Sequence, residues 1–178
     1  MRALPIAVLL ATAGAAEAEA EPARSLRVSV DGVLPFADWD QVAGPGLGAS
    51  ALAVIPLDAT LAITARVGAV VHAEVDGGAV ATRQLELPLL GGARYQLARI
   101  GRLRGLVLGE VGVVATRTRA RIGGVSDADT DLGFAASIGG AVGYDRVELR
   151  FGAWLANLAD LDRGVGASAS LDMEVLRW

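Results

Sequence analysis

The sequence holds one histidine, His72, with Glu74 two residues on. On a strand that spacing puts both side chains on one face. An imidazole beside a carboxylate is part of a nucleophilic site, which also needs a hydroxyl within hydrogen-bond reach of the base. No Ser stands beside His72 in the local sequence, so a structural His72 paired with Glu74 is the simpler expectation. Asp127, Asp129 and Asp131 form a D-x-D-x-D run. Calcium takes such oxygen clusters, but an EF-hand loop also needs Gly at its sixth position and Glu at its twelfth. Leu132 and Ile138 stand there, so a solvated acidic loop is expected and no metal site. Arg117, Arg119 and Arg121 share one parity, and guanidinium forks suit phosphate. Their competing role is cross-hairpin pairing with the three aspartates. Arg99, Arg102 and Arg104 crowd another connection, as a solvated positive turn or a contact for an acidic partner.

Composition limits what can position these groups. The chain has 178 residues, is 53% hydrophobic with 20% charged residues, and has a mean hydropathy of +0.46. That is too apolar for a disordered chain. Cysteine is absent, which excludes disulfides and thiolate-held metals. All 16 basic residues are Arg, and the net charge of −4 argues against nucleic-acid binding. The 23 glycines follow no phosphate-loop or dinucleotide pattern, and no cofactor is implied. They read as room inside a narrow fold.

Residues 1–20 have the order of a cleaved secretory signal: Arg2, an apolar run from Ala3 to Ala13, then small-x-small sites at Ala16-Glu17-Ala18 and Ala18-Glu19-Ala20. Residues 21–178 are expected to form one domain. After residue 25 every apolar run is cut by Gly, Arg, Asp or Glu, so only a closed barrel could cross a membrane.

The mature region alternates with period two. Leu61, Ile63, Ala65, Val67, Ala69 and Val71 interleave with Thr64, Arg66, Gly68 and His72, and Leu132, Phe134, Ala136 and Ile138 with Asp131, Gly133, Ser137 and Gly139. Eight strands are predicted at roughly 25–34, 45–56, 61–75, 82–97, 104–118, 131–144, 147–158 and 165–178. The second is apolar on both faces, so its orientation is open. Most exceed the usual globular length and suit tilted membrane strands. Tight connections at 56–60 and 144–146 alternate with longer or more polar ones near 35–44, 119–130 and 159–164, as periplasmic turns alternate with outside loops.

In that topology Tyr95, Tyr144 and Trp178 fall at periplasmic strand ends, where amphipathic rings favour the headgroup level. Phe36 and Trp39 lie in the first outside loop. Arg27, Asp31, Arg66, Glu74, Glu86, Arg94, Glu110, Glu148, Arg150 and Asp172 alternate with apolar residues and would face inward. An eight-strand interior is just wide enough for side chains to fill, and buried charges must pair. The expected lumen is therefore a charge network over Arg27, Arg66, Glu86, Glu110, Glu148 and Arg150, with no wide pore. A soluble barrel would reverse the faces.

The block Leu85-Glu-Leu-Pro-Leu-Leu-Gly-Gly-Ala-Arg-Tyr95 resembles a strand ending in an aromatic, as in small bacterial outer-membrane β-barrel proteins. Gly133-Phe-Ala-Ala-Ser-Ile-Gly-Gly-Ala-Val-Gly-Tyr144 and Val147-Glu-Leu-Arg-Phe151 are similar, and Trp178 resembles the terminal aromatic that the barrel-assembly machinery recognises. The pattern covers most of residues 25–178. Asp172 and Glu174 depart from the apolar alternation of such last strands, which a bulge near Val175–Leu176 would accommodate. The resemblance implies an all-β fold: an eight-stranded antiparallel up-and-down transmembrane β-barrel of the OmpA-like type, in the outer membrane. It implies no single activity.

The expected role is structural or surface-interactive, without catalysis. Lipid and lipopolysaccharide are the expected partners, the latter through phosphates against Arg117, Arg119 and Arg121. Two alternatives remain: a soluble periplasmic barrel binding an apolar ligand, and a lipid-modifying barrel enzyme using His72.

Overall fold

The computed structural model describes residues 23–156 and 164–178. The signal expected at 1–20, and most of the loop expected at 159–164, lie outside the described residues.

Among the described residues nine strands are present: β1 (Ser25–Pro35), β2 (Gly46–Pro56), β3 (Leu61–His72), β4 (Val75–Asp76), β5 (Val80–Ile100), β6 (Leu103–Ile122), β7 (Val125–Tyr144), β8 (Val147–Leu155) and β9 (Val165–Arg177). The only helical element among the described residues is a 3-10 turn, Ala37–Gln41. All strand pairs are antiparallel. The order β3-β2-β1-β9-β8-β7-β6-β5-β4, with β3 also paired to β5, closes the sheet into a ring. The count corrects the expected eight. The ninth strand, β4, is two residues long and pairs only with Thr82 and Ala81 of β5, outside the ring.

Period-two chemistry dictates the faces. One parity of each long strand carries Val, Leu, Ile and Phe outward: Val30 is 58% exposed, Val111 64% and Ile138 66%. The other parity points inward and is small, polar or charged. In β2, Gly46, Ser50, Leu52 and Val54 are buried while Leu47 and Ile55 are exposed, which settles the orientation left open above. The glycines take up inward positions where strands crowd. A Cβ on Gly139 would collide with the Phe151 carbonyl oxygen, and one on Gly152 with that of Ile138.

Three connections are tight turns, at 57–60, 101–102 and 145–146, and they share one end of the ring with the start of β1 and the end of β9, where Arg24 and Trp178 exchange backbone hydrogen bonds. We call this the turn end. The opposite end, the loop end, carries residues 36–45, 73–79 and 123–124, with residues 156 and 164.

The expected polar loop at 119–130 is instead a continuation of β6 and β7. Arg117 to Ile122 pair with Thr130 to Val125, and Gly123-Gly124 close the hairpin at φ of +55° and +87°. Two consecutive residues at positive φ are the geometry of a two-residue hairpin turn, which glycine adopts without strain.

Candidate functional site

The interior is the most heavily constructed part of the molecule. Strand parity brings Arg27, Arg66, Glu86, Glu110, Glu148 and Arg150 into the ring, and all six are between 0 and 7% exposed. Near the turn end, Glu148 Oε2 accepts from Arg27 Nη1 at 3.2 Å and from Arg94 Nη2 at 2.7 Å. Arg27 also reaches Glu174 at 3.4 Å. At mid-height Arg150 Nε lies 2.6 Å from Asp172, while its Nη2 is 3.8 Å from Asp31 and its Nη1 3.9 Å from Glu110. Glu110 also pairs with Arg66, whose guanidinium sits 5.8 Å over the Trp154 ring. A cavity of about 20 Å³ between Asp31, Ser50, Arg66 and Trp154 is room for one water. Burying this many charges is tolerable only because each has an opposite partner; an unpaired one would cost several kcal/mol.

Toward the loop end the interior turns aromatic. Trp154 Nε1 donates to Glu86 Oε2 at 3.2 Å. His72 Nε2 lies 3.6 Å from the same carboxylate, and its Nδ1 is 2.8 Å from Gly44 O. The Trp39 ring packs 5.3 Å from the imidazole, and its Nε1 donates to Gln84 Oε1 at 3.0 Å. Gly46 and Gly166 provide the space: a Cβ on either would press into the His72 or Trp39 ring.

This arrangement corrects two expectations. Glu74 does not face inward with His72. β3 ends at His72, and Glu74 lies beyond it, exposed and 3.2 Å from Arg121. His72 pairs with Glu86 of β5 instead. Trp39 does come from the first loop, but it is not at an interface with the other aromatics and is 2% exposed within the ring. Nothing in the local sequence marks Trp39, Gln84 and Trp154 as partners, because they come from the first loop, β5 and β8.

Arg117, Arg119 and Arg121 lie exposed on the outward face of the β6–β7 hairpin. The register opposes Asp131 to Thr116, Asp129 to Thr118 and Asp127 to Ala120. Directly opposed residues share a face, so the aspartates lie on the inward side of the hairpin, and the cross-hairpin pairing does not form. Arg83 of β5 opposes Arg119 and extends the outward arginine patch, a neighbour the sequence reading missed. Asp127, Asp129 and Asp131 sit on a strand rather than in a loop, roughly 7 Å apart in sequence along it, too spread for one cation. Among the described residues, no group of three His, Cys, Asp or Glu could hold a metal.

Tyr95, Tyr144 and Trp178 are all outward at the turn end, 46, 59 and 56% exposed. In β9, Leu26 opposes Leu176 and Arg27 opposes Glu174, so Val175 is an extra, bulged residue. The bulge leaves Asp172 and Glu174 inside and still brings an apolar residue outward at Leu176.

A ring-closed antiparallel sheet with an apolar outer belt and a charged, filled interior is the architecture a bilayer demands of strands. Comparison with solved structures gives the same fold. The crystal structure of Ail, the attachment invasion locus protein of Yersinia pestis, matches with a TM-score of 0.60 at 9% identity, covering 88% of this chain and 97% of that one. Ail in complex with the heparin analogue sucrose octasulfate matches at 0.57 with 11% identity and the same coverage. Neisserial surface protein A matches at 0.50 with 11% identity, covering 86% and 96%. No protein-family model and no curated protein sequence matches the chain. At these identities the likeness is one of fold, and it is to Ail and Neisserial surface protein A rather than to the OmpA-like type in particular.

Proposed function

We propose that the chain is an outer-membrane β-barrel of a Gram-negative bacterium, with eight strands crossing the bilayer, and that its role is structural and surface-interactive, without catalysis. The observation that carries this reading is the inversion of the faces. Glu86, Glu148 and Asp172 are at most 1% exposed, while Phe134 is 67% and Phe151 53% exposed. In water that arrangement would leave a continuous apolar belt uncovered. In a bilayer it is the stable one. The same inversion overturns the soluble alternative, since an apolar ligand would meet arginines and carboxylates inside.

Residues 1–20 act as the cleaved export signal. The turn end faces the periplasm, and Tyr95, Tyr144 and Trp178 sit at its headgroup level. The C-terminal strand, bulge included, is the element offered to the barrel-assembly machinery. At the loop end, Arg117, Arg119 and Arg121, with Arg83, face the phosphates of lipopolysaccharide. The sulfated sugar held by Ail favours anionic saccharides as the class of surface ligand. A heat-dependent mobility shift on gels of the outer-membrane fraction tests the barrel, and protein in the soluble periplasm overturns it. Replacing Arg117, Arg119 and Arg121 with Gln is expected to reduce co-purifying lipopolysaccharide. Unchanged lipid content sinks that contact and leaves the barrel standing.

A further inference from the structure

At the turn end the lumen opens into a vestibule of about 340 Å³. Six arginines line it: Arg27, Arg94, Arg99, Arg102, Arg104 and Arg177. Among the described residues three carboxylates do so, those of Asp58, Asp145 and Glu174. These acids are largely committed elsewhere. Asp58 accepts from Thr60 N, Thr60 Oγ1 and Leu61 N within its own turn. Glu174 is shared between Arg27 and Arg177. The floor carboxylate, Glu148, is taken by Arg27 and Arg94. Arg99, Arg102 and Arg104 have no carboxylate within 4.0 Å among the described residues; Arg99 and Arg104 donate to the backbone oxygens of Gly101 and Asp145. Arg27, 2% exposed, keeps a buried Nε without a partner.

The backbone is shaped to gather this charge. On β5, odd-numbered residues face outward up to Tyr95. Leu97 is then bulged out of register, so that Arg99 opposes Arg104 and joins its inward face. On β9 the bulge at Val175 does the same for Arg177, which opposes the buried Ser25. Bulges re-aim side chains, and here two of them each turn an arginine from the lipid side to the mouth of the ring.

We propose that this vestibule is a binding site for a small, free, multiply charged oxyanion of the phosphate or polyphosphate class. Arginine forks match such oxygens in pairs, and among the described residues the arginines outnumber the carboxylates by two with Glu148 of the floor included, a balance that favours an anion there. Arg27, Arg94, Arg99, Arg104 and Arg177 occupy inward strand positions, away from the apolar belt, which favours a soluble anion over a lipid headgroup. The site lies at the opposite end from the outward arginine patch and stands or falls independently of it.

The test is calorimetric titration of the full chain, purified from membranes in nonionic detergent, with tripolyphosphate. One site is expected, weakening as salt is raised. Changing Arg99, Arg102 and Arg104 together to Gln is expected to weaken binding by about tenfold or more, as loss of charge-assisted hydrogen bonds does. The corresponding Lys variant is expected to fall between, and heat-dependent gel mobility establishes that each variant is folded. The titrations are made in a background in which Arg117, Arg119 and Arg121 are already Gln, so that the outward phosphate-binding patch does not contribute. No binding at low salt in that background, or no loss on changing Arg99, Arg102 and Arg104, overturns the site. Repeating the titration in nanodiscs separates the two sources of phosphate. Binding retained in phosphatidylglycerol discs supports the free anion, and binding abolished there but present in phosphatidylcholine discs assigns the vestibule to lipid and overturns the proposal.

Discussion

The indole of Trp39 lies 5.3 Å from the imidazole of His72 with the ring planes tilted by 53°, so a side chain of the first loop is packed inside the ring. The 3-10 turn makes this possible. Phe36 N donates to Val165 O, and Val42 N and Ala43 N both donate to Trp39 O, which folds the loop back over the mouth. The loop end is thereby closed by the chain's own residues, while the turn end is left open as the vestibule.

Trp39→Ala removes that closure. The indole is 2% exposed and donates to Gln84, so its deletion leaves a cavity and an unsatisfied amide oxygen. The expected loss is about 3–5 kcal/mol, as for large aromatic truncations in packed cores. The folded fraction on unboiled gels across a urea series measures it. Trp39→Phe keeps most of the volume and is expected to cost less than half as much. Equal losses from the two variants would show that the hydrogen bond to Gln84, not packing, holds the loop.

Gly139 and Gly152 face each other across β7 and β8. A Cβ on either would strike the opposing backbone, which cannot yield as a flexible side chain can. Gly139→Ala is therefore expected to reduce the heat-shifted, folded form sharply. Gly109→Ala, with nothing within 4 Å of its Cβ position, is expected to fold as the parent does. A Gly139→Ala protein with parental mobility would mean that the strands part there readily.

The parity of most strands was legible because a one-residue slip would exchange the lumen and lipid faces, and residues such as Arg66 against Val67 make that exchange costly. The charged interior followed from the same alternation. What the alternation cannot encode is harder to read. Above the lipid both faces of β6 and β7 meet water, so Arg117–Arg121 and Asp127–Asp131 lose the apolar signal and look like a loop, although Gly123-Gly124 marks the turn. His72 looks bound to Glu74 by spacing, but β3 ends between them, and Glu86 arrives through strand pairing. The burial of Trp39 depends on the space left by Gly166 of β9, and that of His72 on Gly46 of β2, each in another strand. The bulge at Leu97 has no composition signal, whereas that at Val175 does, since Asp172 and Glu174 interrupt an apolar pattern.

Asp58 gives the turn at 57–60 an acid sensitivity. The backbone N–H groups of Thr60 and Leu61, and the Thr60 hydroxyl, hold its carboxyl below the usual carboxylate range. A depressed folded value means that the charged form is favoured by folding, so its contribution is present above the unfolded value of about 3.9 and is lost as pH falls through the lower folded value. Asp58→Asn is expected to lower the urea midpoint at neutral pH and to converge with the parent in strong acid. A difference that persists unchanged at low pH would assign the effect to turn geometry instead of charge.

Glu148 is the test of how the lumen tolerates its charges. Its side chain is 1% exposed and one oxygen, Oε2, serves both Arg27 and Arg94. Glu148→Gln keeps the shape and removes the charge, which leaves two guanidinium groups facing each other in a narrow interior. The expected cost is about 3–5 kcal/mol, the range for breaking a buried pair from one side. If repulsion from the stranded arginine is the cause, adding Arg94→Met restores part of the loss, because Arg27 keeps Glu174 and the cation left without a carboxylate is then gone. The pair of urea titrations measures this coupling directly. A double variant less stable than Glu148→Gln alone would mean that Arg94 supports the barrel through packing, and that the lumen is held by the shape of its side chains more than by the balance of their charges.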